Sequence, residues 1–220
     1  MDDLVILFDV DNTLLDNDRI QADLSAHLES EYGAKVRDRY QEIFEQIRGE
    51  LGYADYLGAL ERYRVETMHD PRILRMASWL VDYPFVERLY PDALSAVHHA
   101  REFGHPVVLS DGDAVFQPHK VVHSGIWPAF NDNVLIYIHK EQELEDVERL
   151  YPARHYVMVD DKLRILTAMK EIWGKRLTTI FPRQGHYAND PAELAKYPPA
   201  DFAVDHISEV ARFDFSQLSA

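Results

Sequence analysis

The chain has 220 residues and no cysteine, with 23 basic and 38 acidic side chains giving a formal net charge of −15. That charge argues against a nucleic-acid backbone or an anionic membrane surface as partner. The missing thiols exclude disulfides, thiolate metal sites and cysteine nucleophiles. A hydrophobic share of 46% over this length is enough for a full core, built as one large domain or as a core with a modest insert. With no basic-then-apolar leader and no run of membrane-spanning length, a cytoplasmic protein is expected.

The first segment, MDDLVILFDVDNTLLD, carries an apolar run from Leu4 to Phe8 that stops at Asp9. Consecutive apolar residues bounded by acids read as a strand buried on both faces, as in a parallel sheet. From about residue 16 to 85 no strand is legible, and helical stretches are predicted over 20–32, 36–48 and 53–67. So long an excursion is no simple crossover and reads as a separate helical insert. Pro84 and the run LYPDAL then return the chain. Further strands are expected over 107–110, 134–138, 156–160, 177–181 and 202–204. Helices are expected over 92–103, closed by Gly104, and over 163–173, closed by Gly174. Strands alternating with helices of this length predict an α/β fold, with a mostly parallel sheet flanked by helices.

Chemistry in open parallel sheets collects at the carboxyl ends of strands. Asp9 and Asp11 stand at the first such end, where one carboxylate can attack or bind metal while the other moves a proton. A calcium loop starting at Asp9 would need Gly and Glu where Leu14 and Ile20 stand, so that reading fails. The segment VVLSDGD places Ser110 and Asp111 at a second strand end, VLIYIHK places Lys140 just beyond a third, and YVMVDDK ends a fourth in Asp160 and Asp161. Hard cations such as Mg²⁺ take oxygen ligands and need few carboxylates. His119 and His123 share helical spacing, but HKVVH lacks the glutamate of the zinc-protease motif and no third ligand is obvious.

FDVDNTLLD resembles the DxDxT nucleophile loop of the haloacid dehalogenase superfamily, most of whose members are magnesium-dependent phosphohydrolases. The other three segments fall in the order of that superfamily's remaining motifs. The resemblance implies a Rossmann-like core over residues 1–15 and 87–220, and a helical cap over 16–86 that selects the substrate. It implies that Asp9 forms an aspartyl-phosphate and that Asp11 serves as general acid, then as base. Thr13, which can also hold the loop bent, would face the phosphoryl group with Ser110 and Lys140. Mg²⁺ would be held by Asp9, the backbone carbonyl of Asp11, Asp160 and Asp161. Lys120 is the rival to Lys140, set aside because the charge has to be delivered at a strand end. Asp111 stands where many members carry Asn and is left outside the site; Ile165 and Leu166 stand where some carry a third acid. The implied substrate is a small phosphorylated metabolite, and the implied assembly a monomer or homodimer. Dehalogenases of the superfamily lack the second aspartate, so Asp11 favours phosphate chemistry. Dehalogenase, phosphomutase, or a non-catalytic phosphoacceptor or scaffold module are the alternatives.

Overall fold

β1 (Asp2–Phe8) occupies the middle of a sheet because both of its faces can be covered. In the computed structural model, which describes residues 2–68 and 70–218, Leu4, Ile6 and Phe8 join one core cluster and Val5 and Leu7 the other. Its neighbours are β2 (His105–Asp111) and β4 (Ala153–Val159); β3 (Val134–Tyr137), β5 (Leu177–Pro182) and β6 (Phe202–Val204) complete a six-stranded sheet in the order β3-β2-β1-β4-β5-β6. Every pairing is parallel. Two strands end one residue before their predicted limit: Ile138 turns outward and is exposed, and Asp160 leaves β4 while its amide still bonds Ile180 O.

Four helices lie between β1 and β2 in the first excursion: α1 (Asn17–Tyr32), α2 (Ala34–Leu51), α3 (Tyr56–Thr67) and α4 (Ile73–Val81). They pack in succession, α1 on α2, α2 on α3 and α3 on α4. Asp16 and Asp55 start α1 and α3 by accepting the amides of Arg19 and Gly58, so each satisfies a donor the helix itself leaves open. α4 falls outside every predicted stretch; Ile73, Met76 and Leu80 form its buried stripe. The two ends of the excursion run side by side, with Asp16 N bonded to Arg88 O at 2.7 Å, Tyr90 N bonded to Leu14 O at 2.9 Å, and an antiparallel bridge between Leu15 and Leu89.

α5 (Ala93–Ala100) follows, then α6 (Phe116–His123), α7 (Ile126–Ala129), α8 (Leu144–Leu150), α9 (Leu163–Trp173), α10 (Gly185–Ala188) and α11 (Pro191–Leu194). α9 matches its predicted span and ends at Gly174. α5 stops three residues short of its predicted end, with Arg101 as its C-cap. Gly104 is therefore needed for close approach rather than for capping, since a Cβ there would lie 2.6 Å from the backbone oxygen of Leu4. Because backbone cannot yield as a flexible side chain does, Gly104→Ala is expected to cost about 1–3 kcal/mol in urea unfolding. An unchanged midpoint would show that this approach is not tight. No helix among the described residues is long and apolar enough to cross a membrane.

Candidate active site

The carboxyl edge of the sheet is shaped first by the turn after β1. Asp9 N continues the ladder by bonding Val159 O, and the amides of Thr13, Leu14 and Leu15 all converge on Val10 O. Asn12 takes a left-handed conformation, φ 60°, which Asn tolerates better than most residues. Gly185, at φ 69°, lies against it: a Cβ there would be 2.5 Å from Asn12 Cβ, so the loop after β5 can close on this turn only with glycine at that point.

Asp9 is 2% exposed and Lys140 fully buried. Lys140 Nζ lies 2.5 Å from Asp9 Oδ1, 2.7 Å from Asp160 Oδ2, and donates to Leu109 O at 3.2 Å. Thr13 Oγ1 donates to Asp9 Oδ2 at 3.4 Å and accepts the amide of Asp161 at 3.1 Å, tying the first turn to the loop after β4. Asp160 Oδ1 accepts the amide of Lys162 at 2.8 Å. Asp9, Asp160 and Asp161 can bring carboxylate oxygens within 4.8 Å of one another. Both oxygens of Asp161 are buried without a hydrogen-bond partner.

Three buried carboxylates face two ammoniums, Lys140 in contact and Lys162 through its field, which still leaves an excess of negative charge. Burial pushes the Asp160 carboxyl up to about 6, with Asp9 adding to the rise and Lys140 opposing it. Burial also raises Asp161 well above the usual carboxylate range. Lys140 is raised as well, for a different reason: burial disfavours its charge, but the carboxylates of Asp160 and Asp9 outweigh that and hold it protonated. A buried polar group left unpartnered is costly. Oxygen donors of this kind, with two of them orphaned on Asp161, fit a hard divalent cation. Asp9, Asp160 and Asp161 are the side chains that would hold it.

Asp11 is held apart from this group. Lys120 Nζ reaches its Oδ1 at 2.5 Å and Gln117 Nε2 donates to its Oδ2 at 3.2 Å. The same Gln117 amide donates to Ser110 Oγ at 3.0 Å, and Lys120 also donates to Asn17 Oδ1 at 3.4 Å. Asp111 accepts the amide of Lys140 at 2.8 Å, and burial raises its carboxyl. Lys120 does sit on the helix after β2, as its spacing predicts, yet it is buried against Asp11. Lys120 and Lys140 are therefore both part of the site, where only Lys140 was expected. The signal for Lys120 was its register, since it follows Phe116 by four residues on the buried face of α6. Gln117 and Asn17 carried no comparable signal. Ile165 and Leu166 are buried in the apolar core against β4 and β5 and bring no acid to the site.

A cleft of about 300 Å³ opens beside Asp11. Gln21, Arg48 and Tyr53 line it from the helical excursion, while Lys162, Arg164 and Tyr187 line it from the sheet's carboxyl edge. Arg164 is paired with Glu141 at 2.6 Å.

Acids, a buried lysine and a hydroxyl thus gather at the carboxyl edge of a parallel α/β sheet, and comparison with known proteins gives that arrangement its class and family. Residues 4–172 match the haloacid dehalogenase-like hydrolase family. The chain is similar, at 60% identity and a TM-score of 0.93, to a haloacid dehalogenase-like hydrolase from Burkholderia xenovorans LB400; the match covers 96% of this chain and 99% of that one. It thus belongs to the haloacid dehalogenase-like hydrolases. More distant structures share the fold. L-2-haloacid dehalogenase from Xanthobacter autotrophicus with chloropropionic acid covalently bound aligns at 17% identity and TM-score 0.62, covering 97% of this chain and 98% of that one. The HAD-hydrolase YfnB from Bacillus subtilis bound to magnesium aligns at 15% identity and TM-score 0.62, covering 98% of each. No curated protein sequence matches the chain.

Proposed function

We propose that this chain is a magnesium-dependent phosphohydrolase that cleaves a small phosphorylated metabolite through an aspartyl-phosphate on Asp9. The observation that carries this reading is Asp11, oriented by Lys120 and Gln117 two residues beyond a carboxylate that Lys140 and Thr13 fix in place. A leaving halide departs as a stable anion and needs no proton, so dehalogenation would leave Asp11 idle. A leaving alkoxide does need one.

Asp9 attacks the phosphorus through a carboxylate oxygen, and the bond to the ester oxygen breaks. Asp11 gives its proton to that oxygen. Water then attacks the phosphorus of the acyl phosphate, Asp11 takes a proton back, and phosphate and the free Asp9 carboxylate are released. Ser110 and Lys140 meet the phosphoryl oxygens; Thr13 keeps the turn in register with Asp161. Bound to Asp9, Asp160 and Asp161, Mg²⁺ supplies charge neutralisation of the phosphoryl group. Residues 16–86 serve as the cap, with Gln21, Arg48 and Tyr53 on the substrate side and residues 1–15 and 87–220 as the core.

The direct test is phosphate release from phenyl phosphate with Mg²⁺ and with EDTA; release in EDTA equal to that in Mg²⁺ would overturn the metal requirement. A pH effect accompanies it. The Asp160 carboxyl is raised to about 6 in the fold, above its unfolded value. The stability this adds without metal is present at low pH and is lost as pH rises through about 6. Metal must displace that proton, so the rise in Tm given by Mg²⁺ over EDTA should be larger at pH 7.5 than at pH 5. An equal rise at both values would remove Asp160 from the ligand set.

A further inference from the structure

Gln184, in the loop after β5, is 5% exposed and uses both ends of its side-chain amide. Its Oε1 accepts the backbone N–H of Ile207 at 2.5 Å, where the short helical turn Ile207–Arg212 begins. A backbone N–H can only donate, so this bond fixes which way the amide faces. Nε2 is thereby turned to the nucleophile turn, donating to Thr13 O at 3.2 Å and to Asn12 O at 3.4 Å.

Those two carbonyls are not served from within the turn. The amides of Thr13, Leu14 and Leu15 go to Val10 O and that of Asn12 goes to Leu15 O; among the described residues no backbone amide reaches Asn12 O or Thr13 O. Both residues are buried, so without Gln184 the carbonyls would give up water and gain no partner. The next two residues of the loop grip the same stretch of chain. Gly185 packs on Asn12. His186 donates its backbone N–H to Asp18 at 2.7 Å and brings Nδ1 to 2.6 Å from the same carboxylate, which also accepts Asn12 Nδ2 at 3.0 Å.

The residue held most directly is the one that ties the site together. Thr13 donates to Asp9 and accepts the amide of Asp161 through one hydroxyl, so its backbone position sets how the nucleophile stands against the loop after β4. Asp11 lies between Asp9 and Thr13 in the same turn. Small misplacements of reacting groups cost large factors in rate. We infer that Gln184 is a positioning residue: through the carbonyls of Thr13 and Asn12 it sets where Asp9 and Asp11 stand about one phosphorus, and where Asp9 and Asp161 stand about one cation. The first half rests on the phosphohydrolase reading, and the second on the buried acids alone.

Gln184→Glu isolates this role. The side chain keeps its size and an acceptor for Ile207, but it turns an oxygen instead of an N–H group towards the two carbonyls. In calorimetry without substrate, Mg²⁺ should bind about tenfold more weakly than to the unaltered protein. With phenyl phosphate, kcat should fall about 10–100-fold while KM stays within about twofold. Gln184→Met, which lacks both donor and acceptor, should show the same losses and is read instead where Gln184→Glu does not fold. Gly104→Ala, destabilised near the other end of β1, should keep Mg²⁺ affinity and kcat within about twofold, which separates positioning from lost stability. An Mg²⁺ affinity within about twofold of normal in Gln184→Glu would overturn the inference and leave Gln184 as a seat for the C-terminal turn. So would a loss carried by KM with kcat unchanged, equal losses in Gly104→Ala, or no binding of Mg²⁺ to the unaltered protein. If the unaltered protein binds Mg²⁺ but hydrolyses nothing, the phosphohydrolase reading ends and the comparison of Mg²⁺ affinities still decides the role of Gln184.

Discussion

Asp9→Asn should abolish phosphate release, by about 10⁴-fold or more, in a protein that still folds. The amide keeps the shape of the carboxylate, so Thr13 and Lys140 retain a neighbour of the same size. What disappears is the oxygen nucleophile. The substitution also removes one of three crowded acids, so stability should hold or rise in EDTA, as read by urea unfolding. In the unaltered enzyme, an acid quench during turnover should leave hydroxylamine-labile phosphate on the peptide that contains Asp9. Turnover that persists in Asp9→Asn would sink the covalent mechanism, because no other carboxylate has Lys140 and Thr13 arranged around it in the same way.

Lys140→Met has the opposite signature, with damage to the fold as well as to the chemistry. The substitution keeps the bulk but deletes the ammonium that sits 2.5 Å from Asp9 and 2.7 Å from Asp160. Removing one member of a buried ion pair leaves charge uncompensated and costs about 3–5 kcal/mol. The carboxylates can escape part of that cost by taking up protons, so the deficit in EDTA should be smaller at pH 5 than at pH 7.5. Mg²⁺ should recover part of the stability without restoring turnover. A urea midpoint in EDTA at pH 7.5 equal to that of the unaltered protein would mean that Lys140 does not neutralise the cluster.

The strands were legible because a sheet covered on both faces writes itself as short apolar runs that stop at polar residues. Their beginnings were less so. β4 starts at Ala153 and passes through Arg154 and His155, which are exposed and half-buried, so hydrophobicity gives no sign that the ladder has already begun. Candidate site residues were legible at strand ends, since parallel strands bring their carboxyl termini to one edge. Asp9, Ser110 and Asp160 lie at or just past such ends. Lys120 was misjudged for a physical reason: a lysine on a helix is usually solvated, and the acid that draws it inward stands 109 positions earlier in the chain. Pairing across that distance depends on how β1 and α6 meet, which no local pattern encodes.

The central place of β1 has a consequence for how the chain is made. Synthesis makes β1 before either of its partners, β2 beginning at His105 and β4 beginning at Ala153. At roughly 5–20 residues per second, the second partner follows about 8–30 s later. Until β2 is made a strand of unbroken apolar character has both hydrogen-bonding edges open, and until β4 is made one of them stays open. The helices of the excursion appear in between and can form from local contacts alone. On the ribosome they would be the first structured surface available to shelter β1, which ties efficient expression to the integrity of a region proposed to select substrate in the finished protein.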